Sequence, residues 1–190
     1  MSKTIFNPFE KFSENQLLTA GLVFTVFGSL LGYFFNMQFD GVLDAHPHAN
    51  IEIARPFINN TVNTFALCLA LFALGRYINK KTRFIDVLNT ALISRSPFYL
   101  LALGNANDFF TRLDAQAKSG NMLAIRFSGW ELALMGVFSI FTIAFLVWFV
   151  ILLYNGFKTA TNLKSTGHKV AFAFAVIVAE IISKTIMYFI

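Results

Sequence analysis

Charged residues are scarce in this chain. Lys, Arg, Asp and Glu together make up 13% of its 190 residues, about half of the share found in soluble globular domains. Hydrophobic residues make up 56%, and 24 residues are phenylalanine. The apolar residues are grouped in runs of about 20, the length that a helix needs to cross the ~30 Å hydrocarbon core of a bilayer. The composition therefore excludes an ordinary soluble domain and predicts a multi-span membrane protein.

Cysteines and catalytic motifs are also lacking. Cys68 is the only cysteine, so no disulfide can form within the chain, and its thiol is expected to pack as a small hydrophobic group. The sequence contains no H-E-x-x-H motif, no G-x-S-x-G motif and no phosphate-binding loop. We therefore expect a protein that is not an enzyme and that binds no cofactor.

The apolar segments predict an all-α fold, a polytopic membrane helix bundle of five transmembrane helices. Residues 1–16 form a cytoplasmic tail, and the rest is a single transmembrane domain. The third span contains Arg95, and Pro97 removes a backbone hydrogen-bond donor, so this span should be kinked or broken near Pro97. The alternative is a four-span protein in which this segment is re-entrant. The five predicted spans are residues 17–37, 57–74, 85–103, 132–154 and 170–190.

The positions of Lys and Arg predict the orientation. The tail, the second loop and the fourth loop carry nine of these residues, against four in the first and third loops. Positive loops stay in the cytoplasm, so the N-terminus is expected there and the C-terminus outside, in the plasma (inner) membrane if the cell is bacterial. This bias explains the net charge of +5 without a nucleic-acid partner, since no aromatic residues are interleaved for stacking. The nine are Lys3, Lys11, Arg76, Lys80, Lys81, Arg83, Lys158, Lys164 and Lys169; the four are Arg55, Arg112, Lys118 and Arg126.

Three charged residues fall inside the predicted spans. Arg95 and Glu180 each lie ten residues after the start of a span, so both are expected roughly 15 Å from the cytoplasmic face. A charge inside a span costs ~2.5–3.5 kcal/mol, which predicts that these two side chains form an ion pair. Lys184 follows Glu180 at the favourable i,i+4 spacing, although it can also extend towards the membrane surface. The group is interpreted first as a structural lock and alternatively as a proton or ion relay.

Small residues recur along one face of two spans. Gly21, Gly28 and Gly32 lie in the first span, where the last two form a G-x-x-x-G motif, and Ala175 and Ala179 lie in the fifth. Such stripes let helix backbones approach closely in a bilayer. We expect them to pack helices within the chain, with dimerisation as the less favoured alternative.

The first loop and the tail carry weaker signals. His46 and His48 have acidic neighbours, and this combination would suit a transition metal. A solvated acidic loop is the simpler interpretation, so the two histidines are weak metal candidates. In the tail, residues 4–12 are rich in Ile and Phe next to lysines, which predicts a short helix at the membrane interface.

Short motifs along nearly the whole chain carry a family resemblance. They are Asn7-Pro8-Phe9-Glu10, Phe84-Ile85-Asp86-Val87-Leu88, Ser94-Arg95-Ser96-Pro97, Tyr154-Asn155-Gly156-Phe157 and Lys169-Val170-Ala171. Together they resemble the Yip (Ypt/Rab-interacting protein) domain family, especially its short prokaryotic-type members. The resemblance implies five spans with a cytoplasmic N-terminus. Eukaryotic relatives bind Rab-type GTPases through a longer N-terminal region with an Asp-Leu-Tyr-Gly-Pro-type motif, which residues 1–16 lack, so GTPase binding is not expected.

Two functions are compatible with these observations. A non-enzymatic membrane adaptor, or a bilayer-organising and trafficking-like protein, is favoured by the resemblance and by the lack of catalytic motifs. Its expected partners are the lipid bilayer and either another membrane protein or a second copy of the chain. The alternative is a small transporter or ion pathway that uses Arg95 and Glu180 beside a broken span. A water-accessible cavity touching both residues would favour this alternative.

Overall fold

The computed structural model describes residues 2–118 and 127–190, and this part of the chain is mainly helical. Arg126, one of the four charges counted on the outer side, lies outside the described residues. The α-helices are α1 (Ser2–Phe6), α2 (Glu14–Phe34), α3 (Ala54–Ile78), α4 (Phe84–Ser94), α5 (Ser96–Tyr99), α6 (Phe109–Lys118), α7 (Gly129–Thr161) and α8 (Thr166–Phe189). Two 3-10 helices cover Pro8–Glu10 and Leu100–Asn105, and two short antiparallel strands are β1 (Met37–Gln38) and β2 (His46–Pro47).

Four of the described helices are long and apolar enough to cross a membrane. They are α2, α3, α7 and α8, which correspond to the first, second, fourth and fifth predicted spans. The third predicted span is divided among α4, α5 and the second 3-10 helix. An all-helical membrane protein is therefore confirmed with four candidate spans, and the count of five stays a prediction.

The chain changes its helical geometry around Pro97. Helix α4 ends at Ser94, and Pro97 lies in the first turn of α5. Proline is tolerated there because the first N–H groups of a helix have no partner within the helix. Arg95, between the two helices, has helical backbone angles of φ −73° and ψ −14°. The segment thus passes from α-helix through α5 into a 3-10 helix, and a sharp kink at Pro97 stays a prediction.

Helices α2 and α7 both begin with a capping box. The N–H of Gln16 donates to Ser13 Oγ over 3.4 Å, and the N–H of Ser13 donates to Gln16 Oε1 over 3.0 Å. Ser128 and Glu131 repeat this arrangement at the start of α7. Each box satisfies N–H groups that the first turn of a helix leaves free. The 33 residues of α7 measure ~50 Å, more than the ~30 Å of a hydrocarbon core.

Polar contacts define two ends of the helix bundle. At the Arg83 end, Arg83 forms an ion pair with Glu14 at the start of α2. At the Asn36 end, Asn36 Nδ2 donates to Asp108 Oδ1 over 3.0 Å. The segment 84–105 follows Arg83 and ends just before Asp108, so its two ends lie beside opposite ends of α2.

The first loop, residues 35–53, folds back into the bundle. Strands β1 and β2 close a hairpin, and in its tip Phe39 and Val42 are fully buried. The Phe39 ring packs edge-on against Tyr99, with 5.6 Å between ring centroids. The tip therefore brings irregular backbone into the interior, where each polar group needs a partner.

Candidate functional site

The fully buried Arg95 side chain forms the centre of a polar group inside the bundle. Its Nη1 donates to the Val42 carbonyl over 3.0 Å, and its Nη2 donates to Asn60 Oδ1 over 3.2 Å. The guanidinium carbon also lies 5.6 Å from the centroid of the Tyr99 ring, within range of a cation–π contact. Arg95 thus links the third segment to α3 and to the tip of the first loop.

Glu180 reaches the same loop from α8. Its Oε2 accepts a hydrogen bond of 2.7 Å from the N–H of Leu43. The Val42 carbonyl and the Leu43 N–H belong to one peptide group. Arg95 and Glu180 therefore bind the two sides of a single peptide group, with the cation at its oxygen and the anion at its N–H. Both hydrogen bonds are charge-assisted and so stronger than bonds between neutral groups.

This bridge replaces the direct ion pair predicted between Arg95 and Glu180. Among the described residues, Arg95 has no carboxylate oxygen within 4.0 Å and therefore forms no ion pair. The physical reason is the tip of the first loop, which enters between the third segment and α8. Gly41 allows this approach, because a Cβ atom at Gly41 would lie only 2.4 Å from Glu180 Oε1.

Lys184 contacts Glu180 and Asp44 at the edge of the polar group around Arg95. Its Nζ lies 3.7 Å from Glu180 Oε1, as the i,i+4 spacing predicts, and 2.5 Å from Asp44 Oδ2. The Lys184 side chain is 49% exposed. It therefore joins α8 to the first loop near the surface of the bundle, without being a buried charge.

Asparagines of α3 extend the polar group. Asn60 Nδ2 donates to Ser29 Oγ of α2 over 2.9 Å, and Asn63 Nδ2 donates to the Phe39 carbonyl over 2.7 Å. One helix thus holds both α2 and the first loop through buried amides. The Asn59 amide and Arg95 Nε are buried and have no hydrogen-bond partner among the described residues. The three asparagines at the start of the second predicted span, Asn59, Asn60 and Asn63, are a sequence pattern from which hydrogen bonds between helices can be expected.

The two metal candidates lie in different surroundings. His46 Nδ1 is 3.0 Å from Asp40 Oδ1, and the ligand atoms of Asp40, Asp44 and His46 lie within 4.8 Å of one another. His48 instead contacts the Ala49 carbonyl through Nδ1, at 2.9 Å. In the first group, Asp40 already faces His46, and Asp44 already binds Lys184. The carboxylates are thus neutralised by side chains of the chain itself, and no metal site is assigned.

The contact between Asp40 and His46 shifts both pKa values. The hydrogen bond to Asp40 raises the pKa of His46, against partial burial, and the charges of Asp40, Asp44 and Asp114 act in the same direction. Partial burial of Asp40 opposes ionisation of its carboxyl group, but the bond to His46 and the charge of Lys184 nevertheless leave its pKa below the usual value. Both shifts favour the charged form of the pair.

The glycine stripe of α2 lies against the third segment and the first loop. Cβ atoms at Gly21 and Gly28 would lie 2.6 Å from Leu92 Cβ and 2.2 Å from Tyr99 Cγ. A Cβ atom at Gly32 would lie 2.8 Å from the Met37 carbonyl oxygen. These contacts lie within one chain, so this face of α2 is not free for a second copy.

The alanines of α8 belong to the larger hydrophobic core. Ala179 is fully buried, and Ala175 packs against the same cluster, to which α3, α4 and α7 contribute. Among the described elements, α8 packs mainly on α3.

Residues 2–12, which we call the N-terminal strap, are tied to α7. Trp148 Nε1 donates to the Ile5 carbonyl over 3.2 Å, and Asn155 Nδ2 donates to the Phe6 carbonyl over 2.8 Å. The Phe9 ring lies against Gly156, where an added Cβ atom would be 2.8 Å from Phe9 Cζ. Two of the motifs that carried the family resemblance therefore meet here. The strap holds a fixed position on the bundle near the Arg83 end.

Comparison with known proteins gives one finding at the level of the family. A family model described as the Yip1 domain matches residues 3–185. No curated protein matches the chain, and no solved structure matches it. The matched range includes Arg95 and Glu180, nearly all of the N-terminal strap, the candidate spans α2, α3 and α7, and most of α8.

Proposed function

The chain belongs to the Yip1 domain family, and from this premise we propose that it is a non-enzymatic, multi-pass membrane protein that organises the bilayer from one leaflet. In this role the strap inserts into that leaflet, and the helix bundle anchors the strap. The lipid bilayer is then the immediate partner of the protein. The adaptor role expected of a Yip-type protein is part of the same function.

The single observation that carries the proposal is the geometry of the N-terminal strap. Its backbone accepts hydrogen bonds from Trp148 and Asn155 of α7, yet the side chains of Ile5 and Phe12 are 52% and 40% exposed. Lys11 covers the Phe12 ring at 5.6 Å. Apolar side chains beside a lysine are typical of segments that insert at the membrane interface. Because the strap is fixed to a membrane-spanning helix, its depth in the leaflet is fixed too.

Five crossings with a cytoplasmic N-terminus are part of the proposal. They are supported by the segment 84–105, whose two ends lie beside opposite ends of α2. The Arg83 end also contains the loop after α7, since Asn79 Nδ2 donates to the Thr161 carbonyl. This end therefore carries the Lys- and Arg-rich loops, and the positive-inside rule favours the cytoplasm for it.

No specific observation favours transport. Arg95 donates hydrogen bonds to a backbone carbonyl and to a side-chain amide, and Glu180 accepts a hydrogen bond from a backbone N–H. None of these partners takes up or releases a proton near neutral pH. The arrangement supports a structural lock between the third segment, the first loop and α8.

Reconstitution into vesicles tests the proposal. Cryo-electron microscopy would measure mean vesicle diameter as the ratio of protein to lipid rises, and wild-type protein is expected to lower it. The variant I5S/F12S removes two exposed side chains from the strap and should lose the effect. The matched control F34S/Y188S removes two exposed side chains (67% and 86% exposed) from the Asn36 end and should keep it.

Two results would contradict the proposal. One is a wild-type vesicle diameter equal to that of protein-free vesicles, and the other is an undiminished effect of I5S/F12S. A proton-sensitive dye in the same vesicles measures flux. A flux above that of protein-free vesicles that is lost in E180Q would favour the transport alternative instead.

A further inference from the structure

An apolar groove of about 560 Å³ runs between the N-terminal strap, α2, the third segment and α7. Its volume is within the roughly 300–1,000 Å³ typical of small-molecule sites. Almost all of its surface is hydrocarbon or aromatic. Residues that line it include Phe12, Leu17, Phe24, Pro97, Trp148 and Leu152.

The position of the groove indicates whether water or lipid fills it. Both α2 and α7 are candidate membrane spans, and the groove follows α2 from Gln16 to Phe27. Phe24 and Phe27 line it and are 41% and 54% exposed, so the groove opens sideways towards the surrounding lipid. An apolar cavity does not hold water but accepts apolar ligands. An occupant that enters from the side must therefore be hydrocarbon.

One end of the groove offers a positive charge. Phe12 lines this end, and Lys11 Nζ lies 5.6 Å from the centroid of the Phe12 ring. Within residues 2–118 and 127–190, Lys11 has no ion-pair partner. The nearby Glu14 is already bound to Arg83. A lysine that contacts an aromatic ring but no carboxylate of the described residues, beside an apolar groove, is complementary to a lipid that joins an acyl chain to an anionic phosphate.

We propose that this groove binds one anionic phospholipid of the leaflet at the Arg83 end, with an acyl chain between α2 and α7 and its phosphate at Lys11. The lipid chain fills the space between the strap and the bundle. It thereby adds an apolar contact to the two hydrogen bonds that hold the strap on α7. This site goes beyond the proposed function, because leaflet insertion by the strap does not require a specific lipid.

Trp148 lines the groove and reports its occupancy. Besides Trp148, the chain contains one other tryptophan, Trp130, so W130F leaves Trp148 as the single tryptophan, which can be excited selectively over the tyrosines. Detergent-solubilised W130F protein is titrated with phosphatidylglycerol brominated on one acyl chain, since bromine quenches tryptophan on contact. We expect quenching that saturates at one lipid per protein. Brominated phosphatidylcholine should bind roughly fivefold more weakly, the size expected for one lysine near an anionic lipid.

Three variants in the W130F background assign the site. A20F places a ring into the groove, which Ala20 lines, and should abolish saturable quenching. V23F adds the same ring on α2 at a side chain that is 59% exposed and lies outside the groove, and should leave the titration unchanged. K11Q should remove the preference for phosphatidylglycerol. Native mass spectrometry of unmodified protein should show one retained phosphatidylglycerol.

The opposite results would overturn the proposal. Quenching that rises linearly with lipid fraction and is equal in A20F and V23F would mean general annular lipid only. Equal affinity for the two brominated lipids in the W130F protein would refute the phosphate contact at Lys11. Absence of a retained phospholipid in native mass spectra would refute a bound lipid even if A20F failed to fold.

Discussion

Arg95 and Glu180 bind opposite sides of the peptide group between Val42 and Leu43. The guanidinium group donates to the carbonyl over 3.0 Å, and the carboxylate accepts from the N–H over 2.7 Å. The peptide dipole is thus aligned between a cation and an anion. One loop peptide joins the third segment to α8, and the two charged groups satisfy backbone atoms that lie outside any helix or strand.

A double-mutant cycle distinguishes this bridge from a direct ion pair. We expect R95L and E180L each to lower the free energy of unfolding by ~2–5 kcal/mol, since each leaves buried polar groups without a partner. The double variant should show no rescue, because the peptide group then lacks partners on both sides. Thermal unfolding in detergent measures the effects. E180Q is the control, since its amide oxygen can still accept from Leu43. A double variant more stable than both single variants would favour a direct pair.

Glycine substitutions in α2 should depend on the neighbour of each position. G28L should be severely destabilising because the Tyr99 ring already lies 2.2 Å from the position of a Cβ atom. L30A, at a half-buried position of the same helix, should cost less. G136A in α7 is the matched control, because no packing neighbour among the described residues lies within 4 Å of its Cβ position, and alanine should stabilise that helix by up to about 1 kcal/mol. Equal tolerance of G28L and L30A in thermal unfolding would contradict the packing.

Stability should fall as pH rises through the elevated pKa of His46. The protonated ring is stabilised by Asp40 in the folded state, so this contribution is complete below the unfolded value of about 6.5 and is lost above the folded value. The lowered pKa of Asp40 maintains the pair at acidic pH until that carboxyl group is protonated. Melting temperatures measured between about pH 6 and pH 9 should decline less in H46N than in wild type. H48N should behave like wild type, because the His48 ring contacts the Ala49 carbonyl and forms no ion pair with a carboxylate of the described residues. An unchanged slope in H46N would refute this assignment.

The number of crossings can be tested by labelling from outside the cell. Single cysteines at Lys80 and Asn107, in a C68A background, lie on either side of the segment 84–105. Five crossings with a cytoplasmic N-terminus predict that an impermeant thiol reagent labels N107C and not K80C in intact cells. Both positions should react after permeabilisation. Labelling of neither position in intact cells would instead support the four-span alternative with a re-entrant third segment.

The rare charges were visible in the sequence, but their partners were not. Arg95, Glu180 and Lys184 stand out because charge is costly in an apolar segment, and the i,i+4 contact of Lys184 follows from helix geometry alone. The bridging peptide lies 53 residues from Arg95 and 137 from Glu180. Every residue has a backbone carbonyl, so no residue type marks this peptide in advance.

For the small residues, too, the sequence indicated the role but not the packing partners. The spacing of Gly21, Gly28 and Gly32 indicated a close-packing face because it follows from the helical repeat. That Tyr99 fills the space at Gly28 could not be read from the sequence, since it depends on how the third segment lies across α2. The apolar composition of the tail was likewise visible in the sequence, whereas its hydrogen bonds to Trp148 and Asn155 required the position of α7.

Composition and the length of the apolar runs determined by themselves that this chain is an α-helical membrane protein, because the bilayer imposes the same requirement on every spanning segment. Short motifs were enough to indicate the Yip family. Only the tertiary structure decided that the first loop enters the bundle, that one peptide separates two opposite charges and that a groove opens beneath the strap. These features depend on contacts between segments far apart in the chain, which local sequence patterns do not record.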